Sequence, residues 1–170
     1  MAIFLVLALT ASAAASTQLT VNNQNLKIDV HITNGYYTDA QGDGLQNDVI
    51  TEFTMNLTAS TTVYDALQNA SNSFAMTLQI TEPSGLNFTY AYNQSLIFQL
   101  VTNTTALLSQ SLSLHIKVYF WDHAIESGDY IFTVSISLAG SQNLNNSADL
   151  VFDPPGGTGG SPPTPTITTT

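Results

Sequence analysis

Residues 112–120 read LSLHIKVYF, with Leu112, Leu114, Ile116, Val118 and Phe120 in every second place. Side chains alternate across a strand, so this spacing predicts a strand with one buried face and one wet face. The intervening Ser113, His115, Lys117 and Tyr119 suit the wet face. The device recurs along the chain. Leu26, Ile28, Val30 and Ile32 alternate with Lys27, Asp29, His31 and Thr33, and Val49, Thr51, Phe53, Met55 and Leu57 with Ile50, Glu52, Thr54 and Asn56. Stretches 74–80, 88–92, 96–100 and 130–138 repeat it, and Leu150 with Phe152 closes the series. Glu82-Pro83-Ser84-Gly85 is a strong turn signal. Short helical turns are expected only at 63–70 and 104–109. About seven or eight alternating strands joined by turns predict an all-β chain folded as an antiparallel sandwich.

Composition narrows the function. The 170 residues hold two cations, Lys27 and Lys117, against 12 acidic side chains, for a formal charge of −10. Phosphate backbones are gripped by arrays of Lys and Arg, so nucleic acid is excluded as a partner. Docking on an anionic membrane fails for the same reason. Only 8% of residues are charged, so solubility rests on Asn, Gln, Ser and Thr. Without cysteine there is neither a disulfide framework nor a zinc–thiolate site.

The ends differ from the middle. Residues 1–16, MAIFLVLALTASAAAS, are apolar and finish in small residues, with Ala13-x-Ala15 as a signal-peptidase pattern but no basic start. They read either as a signal peptide or as an apolar assembly segment of the type IV pilin kind. The run is short against the roughly 20 residues of a membrane span. Residues 17–153 make the sandwich domain. Residues 154–170, rich in Pro, Gly and Thr, read as an extended, glycosylatable stalk.

The stretch 34–48, NGYYTDAQGDGLQND, joins two strand patterns and concentrates oxygen ligands. Asp39, Gln41 and Asp43 stand at alternate places and Gly44 follows, then the Leu45 carbonyl, Asn47 and Asp48. Oxygen ligands at positions one, three and five with glycine at six are what a calcium loop needs. The stretch resembles the DxDxDG repeats of dockerins, thrombospondin type 3 repeats and EF-hand-like loops, which implies calcium as the bound ion. It departs from them at Gln41 and at Ile50, where an acidic residue is usual, leaving Asp48 or Glu52 to complete the shell. The competing reading is a turn-rich loop in which Asp and Gly serve β-turns.

Glu126-Ser127-Gly128-Asp129-Tyr130-Ile131-Phe132 resembles the immunoglobulin D-x-G-x-Y-x-C motif, with Glu for Asp and Phe for Cys. The resemblance implies a tyrosine corner at Tyr130 and an immunoglobulin-like or fibronectin-like sandwich lacking the inter-sheet disulfide. Trp121-Asp122-His123 is expected to be a strand-end turn with an exposed histidine rather than an acid–base or metal pair. Glu52 and Asp122 would make a glycosidase pair only at the right separation, which spacing along the chain does not give. With no G-x-S-x-G and no HExxH, no enzyme is expected.

Asn56, Asn69, Asn87, Asn93, Asn103 and Asn145 each open an acceptor sequon. The sparse charge and the abundance of Thr, Asn and Gln resemble archaeal surface and pilus proteins. The reading is a glycosylated, calcium-stabilised, non-enzymatic protein outside the cell, whose partners are its own copies or a cell-surface polymer, with no cytoplasmic partner. A filament subunit, pilin-like or assembled by strand donation, is one alternative. A glycan-binding module using Tyr36, Tyr37 and Trp121 is another.

Overall fold

The structure, a computed structural model, describes residues 17–102, 109–126, 128–141, 146–152 and 165–169. Its strands are β1 (Gln18–Asn22), β2 (Leu26–Thr38), β3 (Asp48–Ala59), β4 (Phe74–Thr81), β5 (Asn87–Asn93), β6 (Ser111–Phe120), β7 (Tyr130–Leu138), β8 (Asn146–Phe152) and β9 (Thr166–Thr169). Two short helices, α1 (Val63–Gln68) and α2 (Gln94–Thr102), lie between them. One sheet runs β1-β2-β3-β6-β9 and the other β5-β4-β7-β8, with every pair antiparallel. β2, β3 and β6 share one sheet while β4, β7 and β8 share the other. The two antiparallel sheets make an all-β sandwich.

The alternation in the sequence becomes the core. Leu112, Leu114, Ile116, Val118 and Phe120 of β6 all face inward and are buried, as are Phe74, Met76, Leu78 and Ile80 of β4. Phe53 of β3, Phe120 of β6 and Phe132 of β7 meet between the sheets, with ring centroids 6.2 Å apart for Phe53–Phe132 and 5.7 Å for Phe120–Phe132. Each such side chain contributes roughly 1.5–3 kcal/mol on burial. In a chain without cysteine this core bears the work that disulfides do elsewhere.

Three expectations change. Residues 96–100 are not a strand but part of α2, whose buried residues are Ile97, Leu100 and Val101. Spacings of three and four are helical, and Leu96 and Leu100 satisfy both periods. The Asn93 carboxamide oxygen accepts the Ser95 N–H at 3.0 Å and starts the helix. Phe98 then packs on Tyr64 of α1, centroids 5.2 Å apart. Second, residues 34–38 belong to β2, so the long loop shrinks to 39–47. A bulge at Thr33 shifts the register between Ile32 and Asn34. It exchanges the faces, so Ile32 is buried while Tyr36 lies on the outer face opposite Ile50. Third, residues 166–169 do not extend clear as stalk but pair with β6 as β9. With β1 and this last strand the described residues hold nine strands. The 63–70 turn is α1 followed by a 3₁₀ turn at Ala70–Asn72. Residues 1–16 and 103–108 lie outside the described residues.

Candidate functional site

The loop 39–47, the turn 82–86 and the corner 121–129 leave the strands at the same end of the sandwich, since Thr38 pairs with Asp48, Val49 with Phe120 and Thr81 with Ile131. The loop 39–47 is shaped by its own carboxylates. Asp39 accepts the N–H groups of Gly42 (2.6 Å) and Asp43 (3.0 Å) on Oδ1 and that of Gly44 (2.9 Å) on Oδ2. Asp43 Oδ1 accepts the Leu45 N–H at 2.8 Å. Gly42 and Gly44 have φ of 76° and 88°, a region that Cβ-bearing residues rarely adopt.

Asp48 closes the loop from below. It is fully buried and takes four donors: the N–H groups of Ala40 (2.8 Å) and Gln41 (3.0 Å) on Oδ2, and Gln41 Nε2 (3.0 Å) and the Asp122 N–H (3.0 Å) on Oδ1. Asn47 donates from Nδ2 to Asp122 Oδ1 at 2.7 Å, and its carbonyl accepts the Ala124 N–H at 2.8 Å. These bonds hold Asp122, whose φ of 56° is left-handed.

The six predicted ligands therefore fall into two groups. Asp39, Asp43 and Leu45 lie on the solvent side of the loop, whereas Gln41, Asn47 and Asp48 meet Asp122 at its base. Among the described residues no three Asp, Glu or His side chains converge on one point. Gln41 presents N–H rather than oxygen to Asp48. The hydrogen bonds account for the loop's shape without an ion.

His123 is buried, not exposed. Its Nδ1 lies 2.7 Å from the Trp121 carbonyl, which can only accept, so Nδ1 carries the proton and Nε2 accepts the Tyr90 hydroxyl at 2.7 Å. Phe88 and Phe120 stand edge-on to the ring, centroids 5.0 and 5.3 Å away. Burial lowers its pKa to about 4 despite the carbonyl and the nearby Asp122. The imidazole is a neutral hydrogen-bonded core group. Asp122 turns to Asn47 and Glu52 to Lys117 (3.2 Å) and the Tyr36 hydroxyl (3.2 Å), so each imagined catalytic carboxylate is engaged elsewhere.

Tyr130 makes the corner that its motif implies. Its hydroxyl donates to the Glu126 carbonyl at 2.9 Å and accepts the Glu126 N–H at 2.7 Å. Glu126 in turn accepts the Ser84 N–H at 2.8 Å, clasping the 82–86 turn to the corner. Gly128 has a φ of 125°, which side chains rarely adopt, and a Cβ on it would crowd Pro83 at 3.1 Å. Inside the clasp lies Glu82, 2% exposed, with neither carboxyl oxygen given a donor by the described residues. Burial, then the charge and hydrogen bonding of Glu126, push its pKa up to about 7. Sequence reading took Glu82 only as part of a turn. A buried partner so far along the chain leaves no local signal.

On the outer face Tyr36, Ile50, Tyr119 and Thr166 form a row across four strands. The Lys117 ammonium lies 5.5 Å from both the Tyr36 and Tyr119 ring centres, and Trp121 stacks on Tyr119 at 5.0 Å. Tyr36 and Trp121 thus share a face, but Tyr119 is covered on its faces by Lys117 and Trp121. Tyr37 pairs with Val49 in the neighbouring row instead. Among the sequons, Asn56, Asn69, Asn87 and Asn93 are exposed, while Asn103 and Asn145 lie outside the described residues. Comparison with protein-family models and with curated proteins finds no match for this chain.

Proposed function

We propose that the chain is a non-enzymatic structural protein of an extracellular cell surface, carrying N-linked glycans on a β-sandwich. One observation carries the reading: all four acceptor asparagines among the described residues, Asn56, Asn69, Asn87 and Asn93, are exposed. An acceptor has to meet its transferase from solvent, and the bulky product has no place in a core. Asn56 sits on the outer face of β3, Asn87 and Asn93 bracket β5, and Asn69 follows α1. Glycans there hydrate a surface that has few charges of its own. In the same proposal the Asp39, Gln41, Asp43, Leu45, Asn47 and Asp48 loop takes calcium weakly, at extracellular concentrations. Its partners are further copies of the chain or a surface polymer.

Intact mass and glycopeptide mapping of the protein from its own cells, fractionated into surface and cytosol, test the proposal. A surface-fraction chain heavier than its polypeptide, with sugar on at least one of the four asparagines, is expected. An unmodified chain confined to the cytosol overturns it. The filament reading is favoured by one further observation, the strand held at the β6 edge.

A further inference from the structure

We infer that the β6 edge at Ile116–Tyr119, where the chain's own β9 lies, is a strand-acceptor site that residues 165–169 of a second copy of this chain fill in its place. The inference rests on the surface-structural reading above and gives it a partner. β6 spans Ser111–Phe120, and β3 pairs with it from Ser111 to Phe120 on one side. On the other side β9 covers only Ile116, Lys117, Val118 and Tyr119. Among the described residues nothing pairs with 111–115 on that edge. A row of unpaired N–H and C=O groups is a template for another strand. The sequence there, SLSLH, holds neither the proline nor the lysine that blunts an edge.

The strand that occupies part of this edge is a separable element. It is held by its ladder with β6, by Trp121 Nε1 donating to Thr166 Oγ1 at 3.0 Å, by buried Pro165, and by Ile167 half-buried against the core. All of these contacts lie within one acceptor surface, so a copy of the segment from another molecule makes the same ones. Residues 153–164, DPPGGTGGSPPT, separate it from β8. A stretch of that length reaches at most about 40 Å when extended. The bonds being identical, concentration decides between the chain's own segment and its neighbour's. A short tether presents its segment at an effective concentration of the order of 1 mM. In dilute solution the chain's own strand therefore wins. Among subunits crowded on a surface, a neighbour's strand competes on equal terms. Donor and acceptor are different surfaces, so exchange closes as a reciprocal pair when two copies trade strands and propagates head-to-tail when each gives its strand to the next.

Because the chain has no cysteine, engineered cysteines report the pairing without background. Lys117 and Thr168 are direct partners across the β6–β9 ladder. Such partners stand about 4.5–5.5 Å apart, within reach of a disulfide. In the full chain, the double variant Lys117→Cys/Thr168→Cys is expected to close an intramolecular disulfide in dilute solution. The two single variants mixed at about 1 mM are expected to give mixed disulfide dimers several-fold in excess of like-with-like dimers. That yield falls at least tenfold on hundredfold dilution. If the double variant does not close, the segment is not on β6. If it closes and the mixture gives no excess of mixed dimers, exchange does not occur. Either result overturns the inference and leaves the location and glycans of the native protein to be read from its mass.

Discussion

Replacing Glu82 by glutamine is expected to stabilise the fold at pH 8. Glu82 is buried with neither oxygen given a donor among the described residues, and it faces Glu126 across the clasp between the 82–86 turn and the Tyr130 corner. Its pKa rises from 4.5 to about 7 on folding. Between those values the folded chain keeps a proton that the unfolded chain has released, so this stability is complete below pH 4.5 and lost as pH climbs through 7. At about 1.4 kcal/mol per pH unit the displacement amounts to roughly 3 kcal/mol. The partner Glu126 is exposed and screened by solvent, so a realised effect of about 2 kcal/mol is expected. Glutamine keeps the shape, never ionises, and offers an N–H to the Glu126 carboxylate. Glu82→Gln should therefore exceed the wild type by about 2 kcal/mol at pH 8, roughly 4–8 °C in melting temperature for a domain of this size. The gap should shrink to about 0.5 kcal/mol at pH 5, where the wild-type acid is protonated. Urea melts of both proteins at pH 5, 6.5 and 8 measure it. A variant no more stable than the wild type at pH 8, or a gap that does not change with pH, would refute the reasoning.

Three further expectations follow from the same end of the sandwich. Tyr130→Phe strands the N–H and carbonyl of Glu126 and should cost about 1–3 kcal/mol by denaturant melt, whereas a loss below about 0.5 kcal/mol removes the corner as a structural device. His123 has its pKa lowered from 6.5 to about 4, so its contribution is complete above pH 6.5 and lost as pH falls through 4. Its imidazole should remain neutral at pH 5 by nitrogen-detected NMR, and a midpoint near 6.5 would mean that the ring is not buried as described. If the 39–48 loop holds calcium with a Kd of about 10⁻⁴–10⁻³ M, then 10 mM calcium adds roughly 1.4–2.7 kcal/mol. A melting temperature unchanged by calcium, while Asp39→Asn lowers it, would leave the loop as a hydrogen-bonded turn alone.

The sandwich was legible because its strands bury one face each, and a period of two is written locally. Residues 112–120 needed no knowledge of their neighbours. The failures are equally physical. Leu96 and Leu100 serve a helix as well as a strand, and only the burial of Ile97 and Val101 decides between them. The bulge at Thr33 carries no composition signal, yet it turns Tyr36 outward and shortens the loop that looked longest. Residues 166–169 lack a strand's apolar density, and they become one because β6 offers an open edge. In that case the partner, not the segment, specifies the structure.

The polar groups at the loop end show why a site is harder to read than a fold. Asp48, Glu82 and His123 are each buried, and each meets at least one residue far away in sequence: Asp122 for Asp48, Glu126 for Glu82, Tyr90 for His123. Burial penalises an ion by several kcal/mol, so what these neighbours offer decides whether the group stays charged. The oxygens of Asp48 meet four donors, His123 gains a carbonyl and a hydroxyl and stays neutral, and Glu82, with no donor among the described residues, keeps its proton up to about pH 7. The three outcomes follow one rule applied to three sets of partners. Spacing along the chain does not bring Asp122, Glu126 or Tyr90 to these groups. A carboxylate or imidazole in this chain is thus read correctly only once its donors are counted, and that count ranks Glu82 first for perturbation.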